Sequence, residues 1–217
     1  MNNDEILLIQ NYLRDIFDNE NLSVRKDQDI PPTASLFIFS EAIGSLQRDD
    51  DPDEEDINEI FIKDPACVYF FQPLLFYKGF YSIQAYRLAN FWIEKKLGLA
   101  LYIQSIVSEK FNVDIHPKAK IGKGIMVDHA SGVVIGETAK VGDYSSIFHG
   151  VTLGGIGSEI GQRHPQIGKN VMLSANATII GNIKIGDNVR IGAGSVVLND
   201  IPDNSTAVGV PAKIINN

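Results

Sequence analysis

An aliphatic residue returns every six positions through the second half of the chain, and glycine or another small residue often follows it. One series keeps this step without interruption: Ile167, Leu173, Ile179, Ile185, Ile191 and Val197. An earlier series keeps it with one slip of two residues, between Val133 and Ile135: Ile115, Ile121, Val127, Val133, Ile135, Val141, Ile147 and Leu153. Amphipathic helices repeat at about 3.6 residues and half-buried strands at about 2, so neither produces this pattern. A six-residue repeat predicts a β-helix, a prism whose sides each bury one aliphatic side chain.

The longest break in the repeat separates Leu153 from Ile167, where fourteen residues replace the usual six. The excess residues must leave the prism as a protruding loop, and long loops in compact repeats commonly carry function. This loop contains a cationic and a titratable side chain side by side, Arg163 and His164. It is therefore a candidate site.

The first half of the chain has helical periodicity instead. Apolar residues at helical spacing predict an amphipathic helix over 5–17, and aromatic-rich apolar segments predict helices over about 67–76, 78–96 and 98–111. The acidic run at 49–56 is interpreted as a solvated loop that leads into a helix N-terminus. So much apolar surface on a small helical module indicates burial against neighbours or other subunits.

These two patterns predict an α+β multidomain protein. A helical N-terminal domain spans residues 1–112, and a β-helix domain spans residues 113–217. Apolar residues make up 44% of the chain, which is enough for a substantial core. The formal net charge of −8 argues against nucleic acid and anionic membranes as partners. No stretch approaches the roughly 20 apolar residues that span a bilayer.

The sequence also bears on location. The acidic N-terminus lacks the basic segment of a secretory signal, and the single cysteine, Cys67, fits a reducing compartment. We therefore expect a cytoplasmic protein. Because Cys67 lies in an apolar run, we expect a buried structural thiol rather than a nucleophile.

All four histidines lie in the β-helix half: His116, His129, His149 and His164. Asp114 stands fifteen residues before His129, close to the eighteen that three six-residue sides would make, so the two side chains are expected near each other. A carboxylate bonded to one imidazole nitrogen leaves the other as a general base. The residues alone leave open whether His129 is such a base or a hydrogen-bonded structural histidine. The gaps of 13, 20 and 15 residues between histidines do not match a zinc-binding set, so no metal site is expected.

Short segments in a fixed order resemble serine O-acetyltransferase, a hexapeptide-repeat acyltransferase: Asp64–Ala66, Lys78–Phe80, Gln84–Arg87, Val113–Pro117, Asp128–Gly132, Ile135–Thr138, Gly150–Gly155, Arg163–Pro165 and Gly209–Lys213. The resemblance covers about residues 35–215. The six-residue repeat by itself implies only an acyltransferase-like prism. The Asp-His-Ala-Ser-Gly and Arg-His-Pro segments single out this family.

The resemblance implies a left-handed parallel β-helix, against the usual right-handed crossover rule. It also implies homotrimers with active sites between neighbouring prisms, or dimers of trimers joined through the helical domains, which would supply part of the serine site. The implied reaction moves acetyl from the co-substrate acetyl-CoA to the hydroxyl of L-serine, giving O-acetyl-L-serine in the first step of cysteine biosynthesis. Feedback inhibition by L-cysteine at the serine site is a further expectation.

Residue roles follow from the same motifs. His129 would be the general base, oriented by Asp114, in a direct attack without an acyl-enzyme. Four side chains would hold serine, two at its ammonium and two at its carboxylate: Asp64 and Asp128, then Arg163 and His164. Five residues would meet acetyl-CoA, three by backbone along the pantetheine arm and two by charge near the nucleotide: Gly155, Ala175 and Ala193, then Arg190 and Lys213.

The sequence departs from the family at two places. Gln162 stands where an aspartate often precedes Arg-His-Pro, a change expected to be tolerated. The chain ends at Asn217 without the longer tail that inserts into cysteine synthase in many members, which puts that complex in doubt. Two other functions stay open: a β-helix O-acetyltransferase for a sugar or another hydroxy amino acid, and a non-catalytic assembly scaffold.

Overall fold

The computed structural model describes residues 52–157 and 161–215. Four helices come first in this part of the chain: α1, Pro52–Lys63; α2, Gln72–Phe76; α3, Lys78–Trp92; and α4, Leu97–Phe111. Helix α3 ends earlier than the predicted 78–96, and α4 begins one residue before the predicted 98–111. None of these four helices has the length and apolarity needed to cross a lipid bilayer. The predicted helix over 5–17 lies outside the described residues.

Helix α2 is shorter than the sequence predicts. The prediction of a helix over 67–76 is wrong in its first half, because the chain turns there and α2 begins only at Gln72. The Gln72 side chain explains the late start. Its Oε1 accepts the backbone N–H groups of Val68 and Tyr69 at 2.5 and 2.6 Å, so these groups bond to a side chain instead of to a helical carbonyl.

Fifteen short strands follow in the described ranges and form the three sides of a left-handed parallel β-helix. Sheet A contains β1 Val113–Ile115, β4 Val133–Ile135, β7 Thr152–Gly154, β10 Thr178–Ile180 and β13 Val196–Val197. Sheet B contains β2 Lys120–Ile121, β5 Lys140–Val141, β8 Gln166–Ile167 and β11 Lys184–Ile185. Sheet C contains β3 Met126–Asp128, β6 Ser146–Phe148, β9 Met172–Leu173, β12 Arg190–Ile191, β14 Thr206–Gly209 and β15 Ala212–Ile215, the last two paired antiparallel. The predicted fold class is confirmed.

The repeated aliphatic side chains fill the interior of this prism. Every position predicted from the six-residue repeat is buried except Ile121, which is half-buried. The strand register explains this, because equivalent residues of successive coils stack on one another, as Ile179 does on Val197. Burying a side chain of this size stabilises the fold by about 1.5–3 kcal/mol, so the column of stacked residues carries much of the stability of the prism.

The first coil holds two extra residues at the corner between β3 and β4. Ile115 pairs with Ile135, twenty residues later, whereas coils without an insertion repeat after eighteen, as from Ile135 to Leu153. Val133 and Ile135 both point inward from β4. The insertion therefore lies at 128–132, before Val133, and not between Val133 and Ile135 as the spacing indicated. His129 and the residue after it take up the extra length with φ values of 55° and 56°.

A buried ion pair ties the helices to the prism. Asp56 in α1 is fully buried, and its Oδ2 accepts hydrogen bonds from Arg87 of α3 at 2.6 and 3.0 Å and from Gln84 at 3.1 Å. Its Oδ1 accepts the backbone N–H of Ile125, just before β3, at 2.7 Å. The interpretation of the run at 49–56 as a solvated loop is therefore wrong at Asp56, which lies in α1 and holds three segments together.

Helices give way to strands after Phe111. Asn112 turns the chain between them with φ of 55°, a left-handed conformation that asparagine tolerates better than most residues. Residues 50–217 together form one compact unit. The division into domains at 112/113 stays a prediction.

Candidate active site

Candidate residues lie at two edges of the prism, and the others lie on its strands and in the loop between α1 and α2. We call the column of corners that leads from sheet C to sheet A the His129 edge: residues 129–132, 149–151, 174–177 and 192–195. We call the column that leads from sheet A to sheet B the Arg163 edge: residues 116–119, 136–139, 155–157 with 161–165, 181–183 and 198–200. Backbone hydrogen bonds join successive corners, as from the Gly150 N–H to the Ser131 carbonyl at 2.9 Å. Sheet A separates the two edges.

The first corner of the His129 edge presents an imidazole to solvent beside a carboxylate. The His129 side chain is 75% exposed, and its Nε2 lies 3.7 Å from Oδ2 of Asp128. Its ring meets the His149 ring edge-on, with centroids 5.8 Å apart. From α3, Lys78 Nζ donates to Ser131 Oγ in the same corner. The left-handed backbone of His129 costs about 1–2 kcal/mol for a residue with a Cβ, and such strain is concentrated at active sites.

Asp114 is half-buried on β1, next to this corner. The corner is tied to the chain two residues before Asp114, because the Gly132 N–H donates to the Asn112 carbonyl at 2.6 Å. The contacts among the described residues include no hydrogen bond or ion pair between Asp114 and His129. The recorded partner of Asp114 is Gln104 of α4, whose Nε2 lies 2.6 Å from Oδ1. The predicted pairing of Asp114 with His129 stays a prediction.

On the Arg163 edge, the loop residues contact the preceding coil. Arg163 Nη2 lies 2.8 Å from Oε2 of Glu137. His164 is buried, and its Nδ1 accepts the Thr138 backbone N–H at 3.2 Å and lies 2.8 Å from the Thr138 hydroxyl. A neutral imidazole that accepts at Nδ1 carries its proton on Nε2. That Nε2 faces Gly155, where an added Cβ would lie 2.9 Å away, so the glycine keeps the donor accessible.

Burial and charge set the protonation of this edge. Burial, followed by the nearby Arg163 guanidinium, lowers the pKa of His164 below its ordinary value of 6.5. Burial also lowers the pKa of His116. The hydrogen bond from Arg163 lowers the pKa of the Glu137 carboxyl. At neutral pH the edge therefore offers a guanidinium and a neutral imidazole N–H, a suitable pair of donors for a carboxylate.

Asp64 lies in the loop between α1 and α2. Its Oδ1 accepts the Ala66 N–H at 2.8 Å, and the described residues show no contact from it to Asp128. The preceding Lys63 donates to the Tyr144 carbonyl at 2.6 Å, at the corner that leads into sheet C. The loop thus begins beside the corner that leads into sheet C, whose strand β3 ends at Asp128.

Cys67, in the same loop, is buried as predicted. Burial raises the pKa of its thiol above the ordinary value. A thiol held neutral in this way is a poor nucleophile, which agrees with the expected structural role.

The residues predicted to meet acetyl-CoA lie on both edges and on sheet C. Ala175 and Ala193 stack on the His129 edge, and the residue after Ala193 donates its N–H to the Ala175 carbonyl at 2.8 Å. Gly155 lies on the Arg163 edge beside the loop residues. Strand pairing puts the exposed Arg190 and Lys213 on the same outer face of sheet C.

The histidines do not converge on a common centre. His129 and His149 meet at one edge, whereas His116 and His164 lie on the other. Within residues 52–157 and 161–215, no group of three or more histidine, cysteine, aspartate or glutamate side chains could hold a metal ion.

Several residues around the candidates were given no role from the sequence. Gln104, Glu137 and His149 contact candidate residues, Thr138 bonds to the His164 ring, and Lys78 contacts Ser131 in the His129 corner. Lys78 and Glu137 belong to segments that carry the family resemblance, so the motifs could have pointed to them. Gln104 and His149 have no comparable signal. A glutamine within a helix is ordinary, and only the fold brings Gln104 to a carboxylate ten residues away.

Two family models match the sequence. The model described as "Serine acetyltransferase, N-terminal" matches residues 8–85, and "Bacterial transferase hexapeptide (six repeats)" matches residues 164–199. A serine acetyltransferase of Haemophilus influenzae is 51% identical over 162 residues, which make up 74% of this chain and 61% of that protein. The chain therefore spans less than two thirds of the length of this relative.

Solved structures are similar over a larger share of their chains. The Neisseria gonorrhoeae serine acetyltransferase in complex with serine has a TM-score of 0.75 at 50% identity, covering 83% of this chain and 74% of that one. A serine acetyltransferase in complex with cysteine gives 0.79 at 48% identity, over 87% and 74%. The Brucella abortus serine acetyltransferase in complex with coenzyme A gives 0.77 at 44% identity, over 84% and 72%. Given this identity over most of both chains, together with the prism and its two edges, the chain belongs to the serine acetyltransferase family.

Proposed function

We propose that this protein transfers the acetyl group of acetyl-CoA to the hydroxyl of L-serine, giving O-acetyl-L-serine and CoA, in the first step of cysteine biosynthesis. Family membership supports the reaction class, since similar structures hold serine and coenzyme A. The observation that carries the proposal is the His129 corner. A strained, exposed imidazole beside a carboxylate suits a general base better than a structural histidine, which would be buried and bonded.

His129 acts as the base in one continuous reaction. Its neutral imidazole takes the proton of the serine hydroxyl while that oxygen attacks the thioester carbonyl carbon, and a tetrahedral oxyanion forms. The intermediate collapses, the C–S bond breaks, and the His129 imidazolium returns the proton to the CoA thiolate. Asp114 orients the imidazole and favours its cationic form. Base catalysis of this kind contributes about 10²–10⁴-fold in rate.

Serine is held at both of its charged ends. Asp64 and Asp128 bind the ammonium. Arg163 and the Nε2–H of His164 bind the carboxylate, and this carboxylate replaces Glu137 as the partner of the guanidinium. A planar guanidinium meets a carboxylate through two parallel hydrogen bonds, which makes the contact selective for an amino acid over a sugar.

The two halves of the site come from neighbouring copies of the chain. A three-residue strand of sheet A spans about 10 Å, too far for one serine to reach both the His129 edge and the Arg163 edge of the same prism. If the His129 edge of one prism packs against the Arg163 edge of the next, the contact is head-to-tail and closes as a homotrimer. Each interface then contains one complete site.

The outer face of sheet A suits this assembly. Its strands contain no lysine or arginine, whereas three of the four strands of sheet B begin with lysine: β2, β5 and β11. Val134 and Leu198 are 39% and 50% exposed on the sheet A side. The helices also carry exposed apolar side chains, among them Phe76, Phe91 and Tyr102, which would join two trimers.

Acetyl-CoA lies along the His129 edge. Its pantetheine arm follows the backbone of Ala175 and Ala193, with Gly155 of the neighbouring copy opposite. Arg190 and Lys213 supply positive charge for the nucleotide phosphates; the described residues include no ion-pair partner for either. L-cysteine binds at the serine site as a feedback inhibitor, in line with a similar structure that holds cysteine. We propose a cytoplasmic location.

The test is thiol release from acetyl-CoA, measured with L-serine, L-homoserine and a panel of sugars, for the wild type and for His129→Ala. Serine-dependent release that is lost in His129→Ala supports both the reaction and its base. Release with another acceptor changes the substrate and keeps the mechanism. No release with any acceptor, together with no binding of CoA by calorimetry, would leave the scaffold function as the explanation.

A further inference from the structure

Helix α4 carries a side chain that donates a hydrogen bond to Asp114, the carboxylate that orients His129 in the proposed mechanism. Gln104 projects from α4, and its amide nitrogen lies 2.6 Å from Oδ1 of Asp114. An ionised carboxylate is an acceptor only, so the nitrogen end of the amide must face it. The short distance is typical of a hydrogen bond to a charged group.

The same helix end also fixes the corner that carries His129. Asn112 caps α4 and turns the chain into β1, which brings the helix back over the strand that contains Asp114. The Asn112 carbonyl accepts the Gly132 N–H at 2.6 Å. Helix α4 and its C-terminal cap thus hold both the carboxylate and the corner.

Gln104 occupies one carboxylate oxygen and leaves the other available. Within the described residues Asp114 has no second hydrogen bond or ion pair, and the His129 ring is 75% exposed, so few packing contacts oppose its rotation about the side-chain bonds. With Oδ1 fixed by an amide, the carboxylate can direct only Oδ2 toward the imidazole. The restriction lowers the entropy lost when the base is aligned.

We propose that Gln104 is a positioning residue for acetyl transfer, acting on His129 through Asp114. The inference rests on the proposed function. Asn90 of α3 is an example of a purely structural role. Its Nδ2 donates to the Pro117 carbonyl at 2.7 Å, which ties a helix to the prism without a contact to any candidate site residue. Asn90 is therefore the matched control.

The experiment is a double-mutant cycle on thiol release. Gln104→Met keeps the length of the side chain and its helix propensity. It should lower kcat and kcat/KM for serine equally, by about ten- to a hundredfold, because a hydrogen bond to a charged group is lost from the aligned state. In an Asp114→Ala background the same change should have almost no further effect, because the group it acts through is absent. Asn90→Leu should leave kcat near the wild-type value.

Other outcomes overturn the inference. An equal loss from Gln104→Met in both backgrounds, or a comparable loss from Asn90→Leu, would make Gln104 a structural tie. Gln104→Glu provides a second test if Gln104→Met folds poorly, as judged by its thermal midpoint. It replaces the donor by a carboxylate facing Asp114 and should lose more activity than Gln104→Met; wild-type activity in this variant would also overturn the proposal. If wild-type protein transfers no acetyl group to any acceptor, both the proposed function and the role of Gln104 in it are overturned. An active wild type with an unaffected Gln104→Met overturns the role of Gln104 alone.

Discussion

Gly79 allows α3 to lie directly against the strand that ends in Asp128. A Cβ added at Gly79 would overlap the Val127 carbonyl oxygen and come within 2.9 Å of the carbonyl carbon and 3.2 Å of the Val127 Cβ. Backbone atoms cannot rotate away, so Gly79→Ala must push α3 off β3. Gly98 in α4 is the matched control, because a Cβ there meets nothing within 4 Å.

The two substitutions should shift stability in opposite directions. Alanine in place of glycine stabilises a helix by about 0.5–1 kcal/mol, whereas overpacking costs about 1–3 kcal/mol. Because the contact is with backbone atoms, the overpacking cost lies in the upper part of this range, about 2–3 kcal/mol. Gly79→Ala is then destabilised by about 1–2.5 kcal/mol, which lowers the thermal midpoint by about 2–10 °C for a chain of this size. Gly98→Ala has only the favourable contribution, and its midpoint should rise by about 1–4 °C.

Activity should separate the two variants further. Val127 is followed directly by Asp128 and His129, and a shift of about 1 Å at such a site can cost about a hundredfold in rate. The assay is thiol release with acetyl-CoA and serine, alongside thermal unfolding at one fixed protein concentration. A Gly79→Ala protein with wild-type midpoint and rate would refute the reasoning, since it would mean that the contact yields without cost. Parallel behaviour of the two variants would trace the effect to helix propensity instead.

Two further predictions concern buried charge and protonation. Arg87→Met removes the guanidinium that bonds to the buried Asp56 carboxylate and should lower the free energy of unfolding in urea by about 3–5 kcal/mol. The double variant Asp56→Leu with Arg87→Met should lose less, because no buried carboxylate remains, and equal losses would contradict the account. Burial lowers the pKa of His116 and of His164 in the folded protein below 6.5, so the fold favours the neutral form of both side chains. The stability that these two histidines contribute is therefore complete above pH 6.5 and is lost as the pH falls through their folded pKa values. NMR titration of the two ring protons, assigned with His→Gln variants, should show midpoints below 6.5, and midpoints at or above that value would contradict the burial argument.

The sequence predicts the prism well because its geometry is periodic. Each side has one strongly inward position, so a step of six along the chain corresponds directly to one buried residue per side, as at Leu173, Ile179 and Ile185. The handedness leaves no such trace, since mirror-image coils would bury the same positions. It came from the family resemblance. The position of the two-residue insertion was also ambiguous, because both Val133 and Ile135 are aliphatic and both are buried.

The helical part was harder because its decisive contacts are distant in sequence. Asp56 lies in a run of like charges that is typical of solvated surface, and its partners Arg87 and Ile125 are 31 and 69 residues away. The late start of α2 depends on one glutamine side chain that competes for backbone donors. Neither effect changes the local hydrophobic pattern.

For the site, the family resemblance indicates which residues have a role, and the fold shows which of them lie together. The order of motifs along the chain gives no sign that His129 and Arg163 lie on different edges, and this separation leads to the last prediction. If a site combines the His129 edge of one copy with the Arg163 edge of its neighbour, inactive His129→Ala and Arg163→Ala proteins should complement each other. After unfolding and refolding as an equal mixture, each interface has the intact pair with a probability of about one quarter, so about a quarter of the wild-type thiol release should return. The same proteins refolded separately and then mixed provide the control and should stay inactive. If the refolded mixture also stays inactive while forming trimers, the shared site is refuted. His129 and Arg163 of one chain would then act in the same site, and the His129 ring would have to move from its present position to reach across sheet A.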